Sequence, residues 1–193
     1  MKTVIELYDE ESILNILAVC AMNPAPEHLV FVGDFHARSR EKEIQQWVNA
    51  FLKNRGIRTH TYLRNVDTDD CQAIVTELFN IKEEFPESAL EVCGGKYLML
   101  LAAGIFAEQS GIPLFHYNID RKRFENIRST PEADKLETPS FTAGEMIALS
   151  HAGLMNLPGH FSIKEPDDVM ISDIRKIWDL FIANQSDWHR NAL

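Results

Sequence analysis

The residues best suited to chemistry are four consecutive ones between a short apolar strand and an apolar helix: Cys93, Gly94, Gly95 and Lys96. Glycine lets the backbone approach a bound group closely because it has no Cβ atom. The free N–H groups at the start of the following helix favour phosphate or another anion. Lys96 adds a positive charge at the same place. The pattern predicts an anion site, although a Gly-Gly pair before a helix is also a common packing device.

The named nucleotide-binding motifs are missing from the sequence. There is no G-x-G-x-x-G after the first strand and no G-x-x-x-x-G-K-[ST] anywhere. The usual sequence evidence for a dinucleotide-binding protein or a P-loop protein is therefore missing. Cys93 lies at a strand–helix elbow, where a thiolate would be stabilised. A cysteine phosphatase would need an arginine where Met99 stands, and no histidine is evident as a partner for Cys93. A nucleophilic Cys93 is therefore the weaker interpretation.

Other polar residues follow neighbouring predicted strands. In an open parallel sheet, ligands bind beyond the carboxyl ends of the strands. Four loops leave such ends: Tyr8–Ser12, Gly33–Arg40, Asn65–Asp69 and Cys93–Tyr97.

Within the second of these loops, polar residues form either a solvated loop or the second side of an anion pocket; they are Asp34, His36, Arg38 and Arg40. In the third loop, the acidic run is typical of helix capping rather than of a metal site; it comprises Asp67, Asp69 and Asp70. We expect no metal and no cofactor.

Strand and helix patterns alternate up to Arg128. The predicted strands are Thr3–Leu7, His28–Val32, Ile57–Leu63, Leu90–Val92, Ile112–Tyr117 and Phe124–Arg128, the last returning antiparallel. The predicted helices are Ser12–Met22, Arg40–Asn54, Asp70–Phe85 and Tyr97–Gln109. This alternation predicts an α/β fold, a Rossmann-like doubly wound and mainly parallel sheet of about six strands. The fourth helix has no polar face, so we expect it to be buried on all sides, within the domain or at a subunit interface.

The composition limits the partners and the location. The chain of 193 residues carries a net charge of −10, which disfavours binding to long nucleic acids through phosphate contacts. No signal peptide and no run of about 18 apolar residues is present, so we expect no membrane association. Three widely spaced cysteines without a C-x-x-C pair are typical of a reduced, cytoplasmic protein.

We expect a domain at 1–130 and a linker with a small helical appendage at 131–193, with helices at Thr142–Leu154 and Asp168–Asn184.

Two segments resemble the CRISPR-associated Rossmann-fold (CARF) domain. The run Glu91–Leu100 and the run Gly111–Tyr117 carry the likeness, with support from Glu6–Ser12 and Leu29–Gly33. They are most similar to the sensor part of CARF nucleases that cyclic tetra-adenylate activates in type III CRISPR immunity. In that family the fourth strand ends in a Thr- or Ser-Gly-Gly-x-Lys segment, so Cys93 departs from the pattern and one hydrogen bond to the ligand is weakened.

The resemblance implies a homodimer, formed partly through the fourth helix, that binds cyclic tetra-adenylate on its two-fold axis. Such proteins place a nuclease domain downstream, and we expect this chain, which stops at Leu193, to be a sensor without its effector. The expected ligand-binding residues are Asp9, Glu10, Ser12, Gly33, Asp34, Arg38, Cys93, Gly94, Gly95, Lys96 and Tyr97. Flat or apolar contacts to adenine are available from Tyr8, Phe35, Tyr97 and Met99.

Three alternatives stay open. A ring nuclease would cleave the same ligand to linear di-adenylate through its own 2′-hydroxyl, with Lys96 and Arg38 or Arg40 stabilising the developing charge. A DNA reader built from the C-terminal helices is disfavoured, because the segment from Asp168 offers only Arg175 and Lys176. A Rossmann-type enzyme acting on a mononucleotide or a methyl donor is the third.

Overall fold

The computed structural model describes residues 2–11, 13–35, 38–118, 120–128, 136–142, 145–146 and 149, the side chains of 38–40 excepted. Ser12 and His36 therefore lie outside the described residues. So do the predicted helix at 168–184 and most of the predicted helix at 142–154.

Six strands form one sheet, as the sequence predicts. They are β1 (Thr3–Leu7), β2 (His28–Gly33), β3 (His60–Asn65), β4 (Ser88–Glu91), β5 (Leu114–Asn118) and β6 (Arg123–Arg128). Their order is β3-β2-β1-β4-β5-β6. The first five strands are parallel, and β6 pairs antiparallel with β5. The Rossmann-like α/β fold is confirmed.

Four helices cover the two faces of the sheet: α1 (Leu17–Ala21), α2 (Arg38–Asn54), α3 (Cys71–Glu84) and α4 (Tyr97–Ser110). One core contains Ile5, Leu7 and Val30 with the buried sides of α3 and α4. The other contains the alternate strand residues, such as Val4 and Phe31, with α1 and α2. None of the helices in the described part of the chain is long and apolar enough to cross a membrane.

Helix α1 is shorter than the predicted Ser12–Met22. Asn15, which is 1% exposed, uses its amide to bond the backbone of Asp9 in both directions, at 2.8 and 2.7 Å. The N–H groups of Leu14 and Ile16 make tight-turn hydrogen bonds, to the carbonyls of Glu11 and Ile13. Because short polar side chains compete with the helix for backbone partners, this segment becomes a loop and the helix begins at Leu17.

Strand β3 begins three residues after the predicted start at Ile57. Its first residue, His60, pairs in register with His28, the first residue of β2. The preceding residues therefore serve as the connection from α2, and Thr59 secures it by donating a hydrogen bond to the carbonyl of Pro26 at 2.8 Å.

Helix α4 is not buried on all sides within this chain. Its inner side is buried and includes Met99, Ala103 and Phe106. Its outer side exposes the apolar residues Tyr97, Leu98, Leu100, Leu101 and Ile105. The expectation of burial within the domain is wrong, and the outer side of α4 is an apolar surface without a partner among the described residues.

Candidate functional site

A cleft opens at the carboxyl ends of β1, β2 and β4. It has a volume of about 200 Å³. Its lining consists of Tyr8, Asp9, Glu10, Gly33, Asp34, Thr68, Gly95, Lys96 and Met99. The strand order reverses between β1 and β4, and this is the position at which parallel α/β sheets bind their ligands. The structure thus brings together residues from all four predicted strand-end loops.

The Asp9 carboxylate joins the loop after β1 to the loop after β4. One oxygen accepts a hydrogen bond from the backbone N–H of Gly95 at 2.9 Å, and the other accepts one from Glu11 at 2.9 Å. Hydrogen bonds from Asn15 to its backbone keep Asp9 in place. The sequence predicts that backbone N–H groups at this loop bind an anion. In the structure the Asp9 carboxylate accepts the hydrogen bond of one of them, that of Gly95, and so supports the loop from within the protein.

The two glycines pack so closely on β1 that a side chain has no room. A Cβ atom at Gly94 would lie 2.8 Å from the Cβ atom of Asp9 and 2.9 Å from the carbonyl oxygen of Leu7. Gly95 has φ +97°, and a Cβ atom there would lie 2.7 Å from the Cβ atom of Leu7. The packing interpretation of Gly94 and Gly95 holds in this structure, and it brings the amino end of α4 to the cleft.

Lys96 reaches into the cleft with its ammonium group fixed. Its Nζ atom donates a hydrogen bond to the hydroxyl of Thr68 at 2.9 Å, while most of the remaining side chain is exposed. Lys96 is also the N-cap residue of α4 and makes no side-chain capping bond. In contrast, the α3 N-terminus is capped by the Asp70 carboxylate, which accepts from Gln72 and Ala73. The positive end of α4 is therefore available to a ligand in a way that the positive end of α3 is not.

Aromatic packing holds the wall of the cleft on the β1–β2 side. The Tyr8 ring makes edge contacts with Phe31 and Phe35, with ring centroids 5.9 and 5.2 Å apart. Phe35 is buried and approaches Gly33, where a Cβ atom would lie 2.9 Å from its ring. Of the four residues expected to contact adenine, Tyr8 and Met99 line the cleft.

Acidic groups outnumber basic groups in the cleft of one chain. The described lining contains the carboxylates of Asp9, Glu10 and Asp34 and the ammonium group of Lys96, so its formal charge is −2. A polyanion that binds here needs positive groups beyond those of the described lining.

Cys93 does not act as a stabilised thiolate in this structure. Burial, followed by the nearby charge of Glu91, raises the pKa of the Cys93 thiol well above its ordinary value. Its Sγ atom accepts a hydrogen bond from the backbone N–H of Tyr117 at 2.8 Å. Cys93 therefore joins β4 to β5, and the raised pKa of its thiol agrees with the sequence analysis, in which a nucleophilic Cys93 is the weaker interpretation.

Three other predicted residues are not among the described lining of the cleft. Tyr97 is 93% exposed on the outer side of α4. Arg38 begins α2, and Arg40 follows in its first turn; their side chains lie outside the described residues. Thr68 was missed by sequence reasoning because its neighbours marked it as part of a capping run. In the described residues, no group of acidic, cysteine or histidine side chains is arranged to hold a metal ion.

No family model matches the sequence, and no curated protein matches it. Several solved structures share its fold. Can2 from Sulfobacillus thermosulfidooxidans, solved in complex with cyclic tetra-adenylate, has a TM-score of 0.62 at 17% identity, covering 98% of this chain and 48% of its own. The chain therefore spans about half the length of that protein.

Two further structures match over smaller shares. Protein VC1899 from Vibrio cholerae has a TM-score of 0.53 at 17% identity, over 67% of this chain and 33% of its own. A type III CRISPR defence DNA nuclease activated by cyclic oligoadenylate has a TM-score of 0.50 at 16% identity, over 76% of this chain and 23% of its own. At such identities the likeness shows a common fold.

The close packing of Gly95 on β1 predicts a stability difference between two glycines. We expect Gly56→Ala to lower the free energy of unfolding by about 1–2 kcal/mol, because φ is +72° there and the surrounding space is open. Gly95→Ala should cost roughly 1–3 kcal/mol more, since its new Cβ atom also meets Leu7. Urea unfolding of both variants measures the difference. Equal losses of unfolding free energy in the two variants would mean that the loop after β4, which contains Gly95, does not pack closely on β1.

Proposed function

We propose that this chain is the cyclic oligoadenylate-binding sensor domain of a type III CRISPR ancillary protein, belongs to the CARF domain family and takes cyclic tetra-adenylate. The observation that carries the proposal is the Gly94–Lys96 loop, which holds the uncapped amino end of α4 and the Lys96 ammonium group at the strand-end cleft. An α-helix N-terminus with an adjacent lysine suits a phosphodiester group. Of the solved proteins with this fold, Can2 was solved in complex with cyclic tetra-adenylate, and the type III CRISPR DNA nuclease is activated by cyclic oligoadenylate.

A homodimer supplies what a single cleft lacks. One Lys96 and one helix N-terminus face three carboxylates, whereas cyclic tetra-adenylate carries four phosphodiester groups. A two-fold axis beside the cleft leaves the ratio of basic to acidic groups unchanged, but it places two Lys96 ammonium groups and two helix N-termini around one ligand. It also matches a ring ligand that itself has two-fold symmetry. In this arrangement the ligand lies across both copies of the Gly94–Lys96 loop.

The outer side of α4 is the surface that suits a second copy of the chain. It exposes apolar side chains between 36% and 93%, and α4 begins at the cleft. Gly104 lies on the exposed side of the helix with open space at its Cβ position, so a partner helix can approach closely there. Contact between two α4 helices would bring the two clefts together at the axis.

The proposal extends to the organisation of the whole protein. We place the sensor domain at 1–130 and a helical connector at 131–193, in a cytoplasmic protein that does not bind long nucleic acids. Segment 136–142 and residues 145 and 149 contact the α1–α2 side of the domain: Glu145 pairs with Arg55 at 2.6 Å, and Leu149 is buried in that core.

Removal of the Lys96 ammonium group should weaken ligand binding. We expect Lys96→Ala to raise the Kd for cyclic tetra-adenylate about tenfold or more, because a hydrogen bond to a charged group contributes roughly 1.5–3 kcal/mol. The matched control is Lys53→Ala, which removes an exposed lysine near the amino ends of the strands. Calorimetric titration with cyclic tetra- and hexa-adenylate measures both variants.

Failure of the wild-type protein to bind either ring as a folded dimer contradicts the sensor proposal. Chromatography of the ligand recovered from the same titration separates the sensor from the alternative. An intact ring is expected of a sensor, whereas linear di-adenylate would identify a ring nuclease.

A charge placed on the outer side of α4 should separate the dimer. We expect Leu101→Glu to sediment as a monomer and to lose most of its affinity for cyclic tetra-adenylate, because the substitution buries a carboxylate between two apolar helices. Ile127→Glu is the control: Ile127 lies on β6 and is 54% exposed, against 56% for Leu101. Analytical ultracentrifugation checks both. Identical sedimentation of the two variants would contradict an interface at α4.

A further inference from the structure

Two glutamates lie side by side in the interior of the sheet. Glu6 on β1 and Glu91 on β4 are directly paired in the strand register, and each is 1% exposed. Paired residues on adjacent strands point to the same face of the sheet from backbones about 4.8 Å apart. The row continues with Phe31 on β2 and Phe115 on β5, both almost fully buried, so the two carboxyl groups have aromatic side chains on either side.

Most of the hydrogen-bonding capacity of this pair is unused. Glu91 accepts a hydrogen bond at one oxygen, from the backbone N–H of Cys93 at 3.0 Å. The other oxygen of Glu91 and both oxygens of Glu6 are buried without a hydrogen-bond partner in the described structure. Two ionised carboxylates in such a position would be strongly unfavourable, because neither solvent nor a positive group compensates their charge.

Among the described residues, the groups that face the pair do not supply a counter-charge. They are the thiols of Cys20 on α1 and Cys93 after β4, whose pKa values burial raises. Beyond Cys20, the Arg55 guanidinium binds Glu145 at 2.6 Å and the carbonyl of Ser140 at 3.0 Å. Among the described residues, the charge of Arg55 is therefore already paired with that of Glu145.

We propose that Glu6 and Glu91 form a proton-binding site beneath the cleft, in which a proton held between the two carboxyl groups keeps the ends of β1 and β4 together. Loss of this proton to solvent leaves two adjacent buried charges, which repel each other and separate the strands. The part of the proposal that concerns the cleft rests on the proposed function.

A short path connects the pair to the cleft. Glu91 holds the N–H group of Cys93, which directly precedes the Gly94–Lys96 loop. On the other strand, Glu6 is followed after two residues by Asp9, whose carboxylate holds Gly95. Any separation of β1 from β4 therefore moves both loops at the point where they meet. Ligand affinity should fall together with stability when the pair ionises.

The direction of the pKa changes agrees with the geometry. Burial raises the pKa of Glu6 well above its ordinary value of 4.5, and the charge of Glu91 adds to the effect. Burial also raises the pKa of Glu91, against smaller opposing effects of hydrogen bonding by the Cys93 thiol and by the Cys93 N–H group. The folded protein therefore holds protons that the unfolded chain has released above pH 4.5, so the free energy of unfolding falls as the pH rises from that value.

Thermal unfolding of the full chain at a series of pH values tests the pair without any ligand. Between about pH 5 and about pH 8.5 we expect the Tm of the wild-type protein to fall by about 5 °C or more. Glu6→Gln and Glu91→Gln remove the charge at similar volume, so each should show a shallower decrease and a higher Tm at the upper pH. Glu87→Gln is the control: Glu87 is exposed and its pKa is lowered by Lys2, so its titration lies below this range.

A wild-type slope that neither glutamine variant changes would overturn the proposal. If a glutamine variant does not fold, infrared spectroscopy of the wild-type protein provides the second measurement. The C=O stretch of a protonated carboxyl group at neutral pH is expected, and its absence would also overturn the proposal.

Titration with cyclic tetra-adenylate at the two ends of the pH range tests the link to the cleft. We expect the wild-type affinity to fall at the upper pH and the Glu91→Gln affinity to change less. A pH-dependent Tm with no binding at any pH would support the proton site and contradict the proposed function. Binding of cyclic tetra-adenylate together with a pH-independent Tm would support the proposed function and contradict the proton site.

Discussion

The close contact between the end of β1 and the loop after β4 is the constraint on which the site depends. Leu7 and Asp9 occupy the space in which side chains at positions 94 and 95 would lie, and the Asp9 carboxylate holds the N–H group of Gly95. Because this contact is made entirely within the protein, the amino end of α4 is directed to the cleft before any ligand arrives. A loop fixed in this way loses little conformational freedom on binding.

The order of the strands determines where this contact can occur. The chain leaves β1 toward β2 on one side and enters β4 on the other, so the loops after β1 and β4 separate above a common edge. The loop after β2 adds Gly33 and Asp34, and the loop after β3 adds Thr68, which holds the Lys96 ammonium group. Each loop contributes little alone, and the cleft results from the parallel sheet that aligns the four strand ends.

Sequence patterns predicted the sheet and the strand-end loops that line the cleft, because strand periodicity and glycine positions are local signals. They failed where a long-range partner decides the structure. Asn15 lies in a segment that the sequence predicts as helix. In the structure it binds the backbone of Asp9, and this contact shortens α1. The position of Cys93 at a strand–helix elbow suggests a stabilised thiolate, but in the structure its Sγ atom accepts a hydrogen bond from the N–H group of Tyr117 on β5. Thr68 reads as part of a capping run, and only the folded chain brings it to Lys96.

The effect of the protein's acidity on anion binding depends on the charged groups at the cleft. A net charge of −10 spread over the surface is screened beyond about 8–10 Å at physiological salt, so it does not decide whether a small anion binds. The groups within the cleft decide it, and in a single chain Asp9, Glu10 and Asp34 outnumber Lys96. Asp9 is bound to backbone N–H groups, which offset part of its charge. In the proposed dimer the ratio of ammonium groups to carboxylates is the same as in a monomer, but two ammonium groups and two helix N-termini converge on one ligand. Affinity for a ring of phosphodiesters and association through α4 are then linked, so that each should strengthen the other.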